Sequence, residues 1–309
     1  MKKYCIIPLL VSLFLLPSFV VAQDKILPFF DQKGAVRIET AEMESSGDTI
    51  TTLTHRGDDI VWSRIVYRVI DMREKQNFQL YFPVRPNEDS RSLFRVMVDA
   101  ITKGCDVYKR NARELKPSYI DSAKLTKEEL SKAFAYNEDN ANNIIQYDAA
   151  KKKYSVSVDQ YGNYVKNQLK FLIQEVIFFD KNTSRMYTKI IGIAPMYALH
   201  PDNTEVKESM RYFQGSIICW FAFDKLRPYL SKQYVIPNGN ETHRLTFDEF
   251  FAQKLYSSYL LGESNLFGRM LLDNEKLIND PVKFEKLVKK EQARIETELM
   301  NIEQDLWEY

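Results

Sequence analysis

Glycine, histidine and cysteine are scarce in this chain of 309 residues, which holds ten, three and three of them. The few glycines form no phosphate-binding Gly-rich loop and no Gly-x-Ser-x-Gly turn. His55, His200 and His243 sit in polar segments, and none has a second ligand-type residue at metal spacing, so no zinc or metalloprotease motif is present. A Ser-His-Asp site would have to be assembled by folding alone. The adjacent carboxylates Asp248 and Glu249, like Glu303 and Asp305, would fall on different faces of a helix, so neither couple makes a general acid and base. Neither metal nor cofactor is expected. Charge of one sign is lacking too. Once Lys2 and Lys3 are set aside, 41 basic residues face 42 acidic ones, a balance that gives no reason to expect a nucleic-acid partner.

Long apolar runs are confined to the start of the chain. Lys2 and Lys3, the apolar run Tyr4 to Val21 and the small residues ending at Ala22 read as a secretory leader over residues 1–22. An uncleaved anchor is the alternative, but Pro17 and the small residue at the cut favour removal. Beyond the leader the longest apolar run, Ser216 to Phe223, is only strand-sized. Export would take Cys5 away and leave Cys105 and Cys219. In an oxidising compartment these two can form one disulfide, closing a loop of over a hundred residues and adding roughly 4 to 5 kcal/mol by the chain-entropy model. They can equally stand as two buried thiols.

What the chain has in quantity is core material, at 45% apolar and 13% aromatic residues. Its strongest local signal is Leu169 to Met196, two apolar, β-branched and aromatic arms about the polar Asp180 to Arg185, which predicts an antiparallel hairpin. One face of the first arm carries Leu169, Phe171, Ile173, Ile177 and Phe179, interrupted by Glu175. The other carries Lys170, Leu172, Gln174, Val176 and Phe178, a half-apolar face suited to water, a helix or another chain. Ser216 to Phe223 predicts a further buried strand of the same sheet, and Tyr154 to Val158 another strand.

Around that sheet the chain reads as an α+β core over residues 58–280, preceded by an extended arm at 23–57 and followed by a helix at 281–309. Trp62, Ile65, Val66, Val69, Ile70 and Met72 recur at three and four behind Asp58 and Asp59, which predicts an amphipathic helix. Phe78 to Phe82 reads as a short strand. Ser90 or Ser92 opens a helix that stops at Gly104, and Cys105 to Tyr108 is a short strand. Thr126 and Glu129 make a capping box for a brief helix. Pro228 and Pro237 bracket a connection, and Leu245 to Asn265 predicts one aromatic-rich helix. The last helix starts at Asp280 and Pro281. Lys286, Lys289, Lys290 and Arg294 come first in it, and Glu296, Glu298, Glu303, Asp305 and Glu308 come last. That order opposes the helix macrodipole. A basic surface on this chain or on another subunit would account for it, as would a solvated helix with incidental charge order.

Several stretches taken together resemble the GldN/PorN family of the Bacteroidota type IX secretion system. They are WSRIVYRVIDMREKQNFQLYFP at Trp62 to Pro83, EVIFFDKNTSRMYTKIIGIAPM at Glu175 to Met196, LTFDEFFAQKLYSSYLLGESN at Leu245 to Asn265, and DLWEY at Asp305 to Tyr309. The resemblance implies a non-enzymatic component of the periplasm, peripheral at the inner face of the outer membrane. It implies a ring of copies of the chain, built with a PorK/GldK-type outer-membrane lipoprotein and touching a PorM/GldM-type motor stalk. Such a ring needs a head-to-tail interface that closes. On that reading the charge-split helix, through Glu298, Glu303 and Asp305, and the mixed hairpin face, through Lys170, Gln174 and Lys189, are the candidate subunit contacts. The resemblance also draws attention to Asp48-Thr49-Ile50 and Asp121-Ser122-Ala123, which fit the loose triplet at which such bacteria glycosylate exported proteins. A rival expectation is an exported small-ligand or glycan-binding protein with a cleft lined by the aromatics of Phe247 to Tyr259.

Overall fold

The computed structural model describes residues 43–45, 48–50, 55–72, 74–83, 90–110, 116–134, 145–150, 153–156, 170–198, 215–236, 244–263 and 281–307. The leader, His200 and His243 lie outside them, as does most of the 23–57 arm. The described strands are β1 (Met43–Ser45), β2 (Asp48–Ile50), β3 (Ile60–Asp71), β4 (Val107–Tyr108), β5 (Ile145–Asp148), β6 (Lys153–Val156), β7 (Lys170–Asp180), β8 (Arg185–Ala198), β9 (Gly215–Ile217), β10 (Trp220–Ala222) and β11 (Tyr259–Glu263). The helices are α1 (Phe78–Tyr81), α2 (Leu93–Thr102), α3 (Lys127–Ala133), α4 (Phe223–Leu230), α5 (Phe247–Ala252) and α6 (Pro281–Trp307).

The central sheet is antiparallel and runs β11-β3-β7-β8-β10-β4, with β9 pairing farther along β8. The expected hairpin is its middle: β7 pairs β8 from Lys170↔Met196 to Asp180↔Arg185, with a register shift at Gln174/Glu175. The sheet is covered on both faces. Phe171, Ile173, Ile190 and Ile193 face a core shared with α2, α4 and α5, whereas Leu172, Val176, Phe178 and Ala194 face a second cluster with Tyr67, Tyr119 and Trp220. The α+β class and the C-terminal helix therefore stand as the sequence predicts. The expected strand at 216–223 is divided into β9 and β10, and its last residue, Phe223, already begins α4.

Four local expectations are overturned. The stretch after Asp59 is not a helix but the strand β3, paired with β7 along its length and with β11 on its other side. Ile and Val at 60, 61, 65, 66, 69 and 70, with Trp62 and Tyr67, fit a pleated surface better than a helix. Burial on both faces hides the alternation that would have marked a strand. Phe78 to Tyr81 is one helical turn rather than a strand. Asn77 sets this corner, because its amide donates to the carbonyls of Asp71 (2.9 Å) and Ser257 (2.8 Å) while its Oδ1 accepts from Ser257 N. The aromatic segment from Leu245 is likewise not one helix. Thr246 and Glu249 close a capping box on α5, which stops at Ala252. Lys254 takes the left-handed conformation (φ 52°) beyond it, and the chain re-emerges as the edge strand β11. Pro228 lies inside α4, not in a connection.

The expected caps of the other two short helices are present. Ser92 Oγ accepts from Arg95 N at α2, and Thr126 and Glu129 exchange bonds ahead of α3.

Candidate functional site

The polar residues of the hairpin face are drawn inside the subunit. Lys170, at 3% exposure, pairs with buried Asp71 at 3.4 Å. Gln174, at 2%, accepts from Tyr119 Oη at 3.0 Å and donates to Tyr67 Oη at 3.2 Å. Glu175, on the opposite face, accepts from Tyr256 Oη at 2.8 Å and pairs with Arg68 at 3.2 Å. Of the surroundings open to that half-apolar face, water, a helix or another chain, Lys170 and Gln174 meet partners within their own chain. Its polar side chains meet long-range partners within the chain, and neither Lys170 nor Gln174 is exposed to a neighbour. Lys189 alone of the three reaches a partly open position.

Lys189 lines a cavity of about 260 Å³ where β8 meets α4 and α5. Phe178 and Tyr187 of the hairpin, Phe223 of α4 and Phe251 of α5 supply aromatic walls; Asp224, Arg227, Asp248, Lys254 and His55 supply the polar groups. Arg227 is committed to Asp248 through two bonds of 2.8 and 2.9 Å. Burial holds the Lys189 amine down to about 8 against the opposing pull of Asp224. Burial also pushes the Asp224 carboxyl up.

At one end of the cavity His55 Nδ1 donates to Asp180 Oδ2 at 2.7 Å, with its ring against Phe178 and Tyr187 at 4.9 and 4.5 Å between centroids. Burial opposes the charge of Asp180, yet the bonds from His55 and from Asn182 N, the latter at 2.8 Å, hold its carboxyl below the usual range. This is a histidine–acid couple, and it ties the start of β3 to the hairpin turn. Among the described residues lining the cavity the aliphatic hydroxyl is that of Thr188. Sequence reasoning had no signal for the couple, since 125 residues separate the two side chains.

Phe247, Phe250 and Phe251 are 0 to 1% exposed and belong to the core, as does Tyr256. The aromatics of the rival reading thus pack the sheet, and only Phe251 among them reaches the cavity. Among the described residues no group of three or more His, Cys, Asp or Glu side chains could hold a metal, and no helix is long and apolar enough to cross a membrane.

Cys105 and Cys219 are both buried free thiols in this structure. They are neighbours, because Cys105 adds to the burial that pushes the Cys219 thiol up. Burial likewise pushes Cys105 up to about 12, which withholds the thiolate needed for exchange. Thiol titration of the mature protein is expected to find no reactive group in the native state and two after denaturation. None after denaturation would show a bonded pair.

α6 lies against the β11 edge of the sheet. Gln292 donates to the Leu260 carbonyl at 2.7 Å, Arg64 of β3 donates to both Glu263 (3.0 Å) and Glu298 (3.1 Å), and Arg294 reaches Glu298 at 2.9 Å. Glu298 is therefore answered by a basic residue of its own chain. Glu303 and Asp305, farther along, are exposed. Among the described side chains of this 27-residue helix only Ile295 is buried, while Met300 is 53% exposed.

Residues 55–308 match the protein family described as gliding motility associated protein GldN. No curated protein matches the chain.

Proposed function

The chain belongs to the GldN family, and on that premise we propose that it is a non-enzymatic structural subunit of the type IX secretion and gliding machinery, built into a periplasmic ring beneath the outer membrane. Membership itself makes it a component of that machinery; the ring and its partners are the proposal. The observation that carries it is α6. A helix of 27 residues extends about 40 Å, and among its described side chains a single one is buried. Its described outer stripe, Glu296, Met300 and Glu303, is exposed, and its acidic end works against its own dipole. A second chain lying along that exposed stripe would bury Met300 and bring positive charge to Glu296 and Glu303.

The hairpin residues that look most like site chemistry, Lys170, Gln174 and Glu175, are spent on internal partners, which suits a scaffold that must stay rigid under load. In this reading the chain is peripheral to the outer membrane, held through a PorK/GldK-type lipoprotein and in touch with a PorM/GldM-type stalk. The test is the size and content of the particle that carries the chain after mild detergent extraction of outer membranes. A very large particle containing a lipoprotein supports the proposal, and a lone chain opposes it.

A further inference from the structure

β10 and β9 cover the outer edge of β8 only from Gly192 onward. From Tyr187 to Ile190 that edge borders the cavity. The floor is aromatic, from Phe178, Tyr187, Phe223 and Phe251, and two lysines flank it: Lys189 on the strand and Lys254 past the end of α5. Arg227 and Asp248 neutralise each other through their two hydrogen bonds, Asp224 faces Lys189 and Glu175 faces Lys254 from behind the rim, and the lining itself carries three cations, Lys189, Arg227 and Lys254, against the carboxylates Asp224 and Asp248. Lys254 is held at φ 52°, a conformation that glycine adopts more easily. The rim thus carries a cation where backbone ease alone would favour another residue.

The complementary surface is on α6. Glu296, Met300 and Glu303 follow one another at four and three residues and are all exposed, so they form one stripe of acid, thioether, acid. It runs beside the inward stripe of Gln292 and Ile295 that meets β11. Among the described residues no α6 side chain lines the cavity of its own chain. The helix packs on β11 at one edge of the sheet, whereas the cavity is lined from β7, β8, α4 and α5, with β3 between β11 and β7.

We propose that the Glu296–Met300–Glu303 stripe of one copy docks into the β8-edge cavity of the next, with Met300 against the aromatic floor and the two carboxylates towards Lys189 and Lys254. The contact rests on the assembly proposed above and gives it a head-to-tail joint. It pairs two different surfaces, as a heterologous interface requires, and repeats from copy to copy. Helix-in-groove burial supplies its apolar part, sulfur–aromatic contact suits methionine, and opposite charges fix the register.

Co-expression of a Glu303→Cys chain with a Lys254→Cys chain tests the joint in the native particle, because the native cysteines of the described core are buried. Mild oxidation is expected to give a covalent dimer of the two different chains, absent when either variant is expressed alone. Lys254→Glu should lower recovered particle at least tenfold while the subunit remains folded by circular dichroism, and Glu303→Lys in the same chain should restore it. An intact particle with no mixed dimer and no effect of Lys254→Glu overturns the joint and leaves the structural role standing. A wild-type protein that forms no particle overturns both.

Discussion

Gly192→Ala is expected to destabilise the subunit by about 3 kcal/mol, the upper end of what overpacking costs. A Cβ at this position would sit 1.9 Å from Tyr119 Oη and 3.2 Å from the Phe221 carbonyl. Neither neighbour can yield freely. Phe221 is held in β10, paired to Ile193 beside the glycine. Tyr119 is buried, and its hydroxyl donates to Gln174, which in turn donates to Tyr67. Displacing Tyr119 leaves buried polar groups unmatched in the middle of the sheet, a cost that adds to the steric one. Tyr119→Phe removes the closest atom and leaves the ring carbon at 3.1 Å, so the double variant should recover part of the loss. Chemical denaturation of the four proteins of this cycle checks it. An unshifted midpoint for Gly192→Ala contradicts the packing described.

The second large effect is expected at Glu175, which is 1% exposed and joins β7 to β3 through Arg68 and to the segment after α5 through Tyr256. Glu175→Ala leaves the Arg68 guanidinium without its counter-charge and the Tyr256 hydroxyl without an acceptor. Breaking a buried pair in this way costs about 3 to 5 kcal/mol, and the partial exposure of Arg68 places this one near 3. Glu175→Gln retains an acceptor for Tyr256 and should lose less than Glu175→Ala. Equal losses in the two variants would show that the charge of Glu175, rather than its hydrogen bonding, carries the effect. Tyr256 follows Lys254 and Phe251 closely, so the same bond helps to fix the wall and rim of the cavity.

The two variants bracket what the sequence could reveal. The β7–β8 hairpin, the capping box ahead of α3 and the Ser92 cap of α2 were legible because each is written in neighbouring residues. β3 reads as a helix in the sequence because Trp62, Ile65, Val66, Val69 and Ile70 satisfy a spacing of three and four, while the β-branched content that decides the matter is independent of spacing. The segment from Leu245 reads as one helix because its break depends on Lys254 entering the left-handed region and on the Asn77–Ser257 bonds, which span 180 residues. The polarity of Lys170 and Gln174 suggested an outer face. Their partners Asp71, Tyr67 and Tyr119 are brought in only by the fold. The cavity had no sequence signal at all, since it draws on β7, β8, α4, α5 and the residue His55. Of the candidate contacts, Glu303 and Asp305 are exposed, Lys189 is at the cavity, and Glu298 is engaged by Arg64 and Arg294.

The most direct test of the structural role is the mass of the native particle that carries this chain, measured after mild detergent extraction of outer membranes. A particle of many chains with a lipoprotein in fixed proportion is expected, dispersing to single folded chains when the α6 and cavity surfaces are altered. A chain recovered at the mass of one subunit, free of any lipoprotein, would contradict that role.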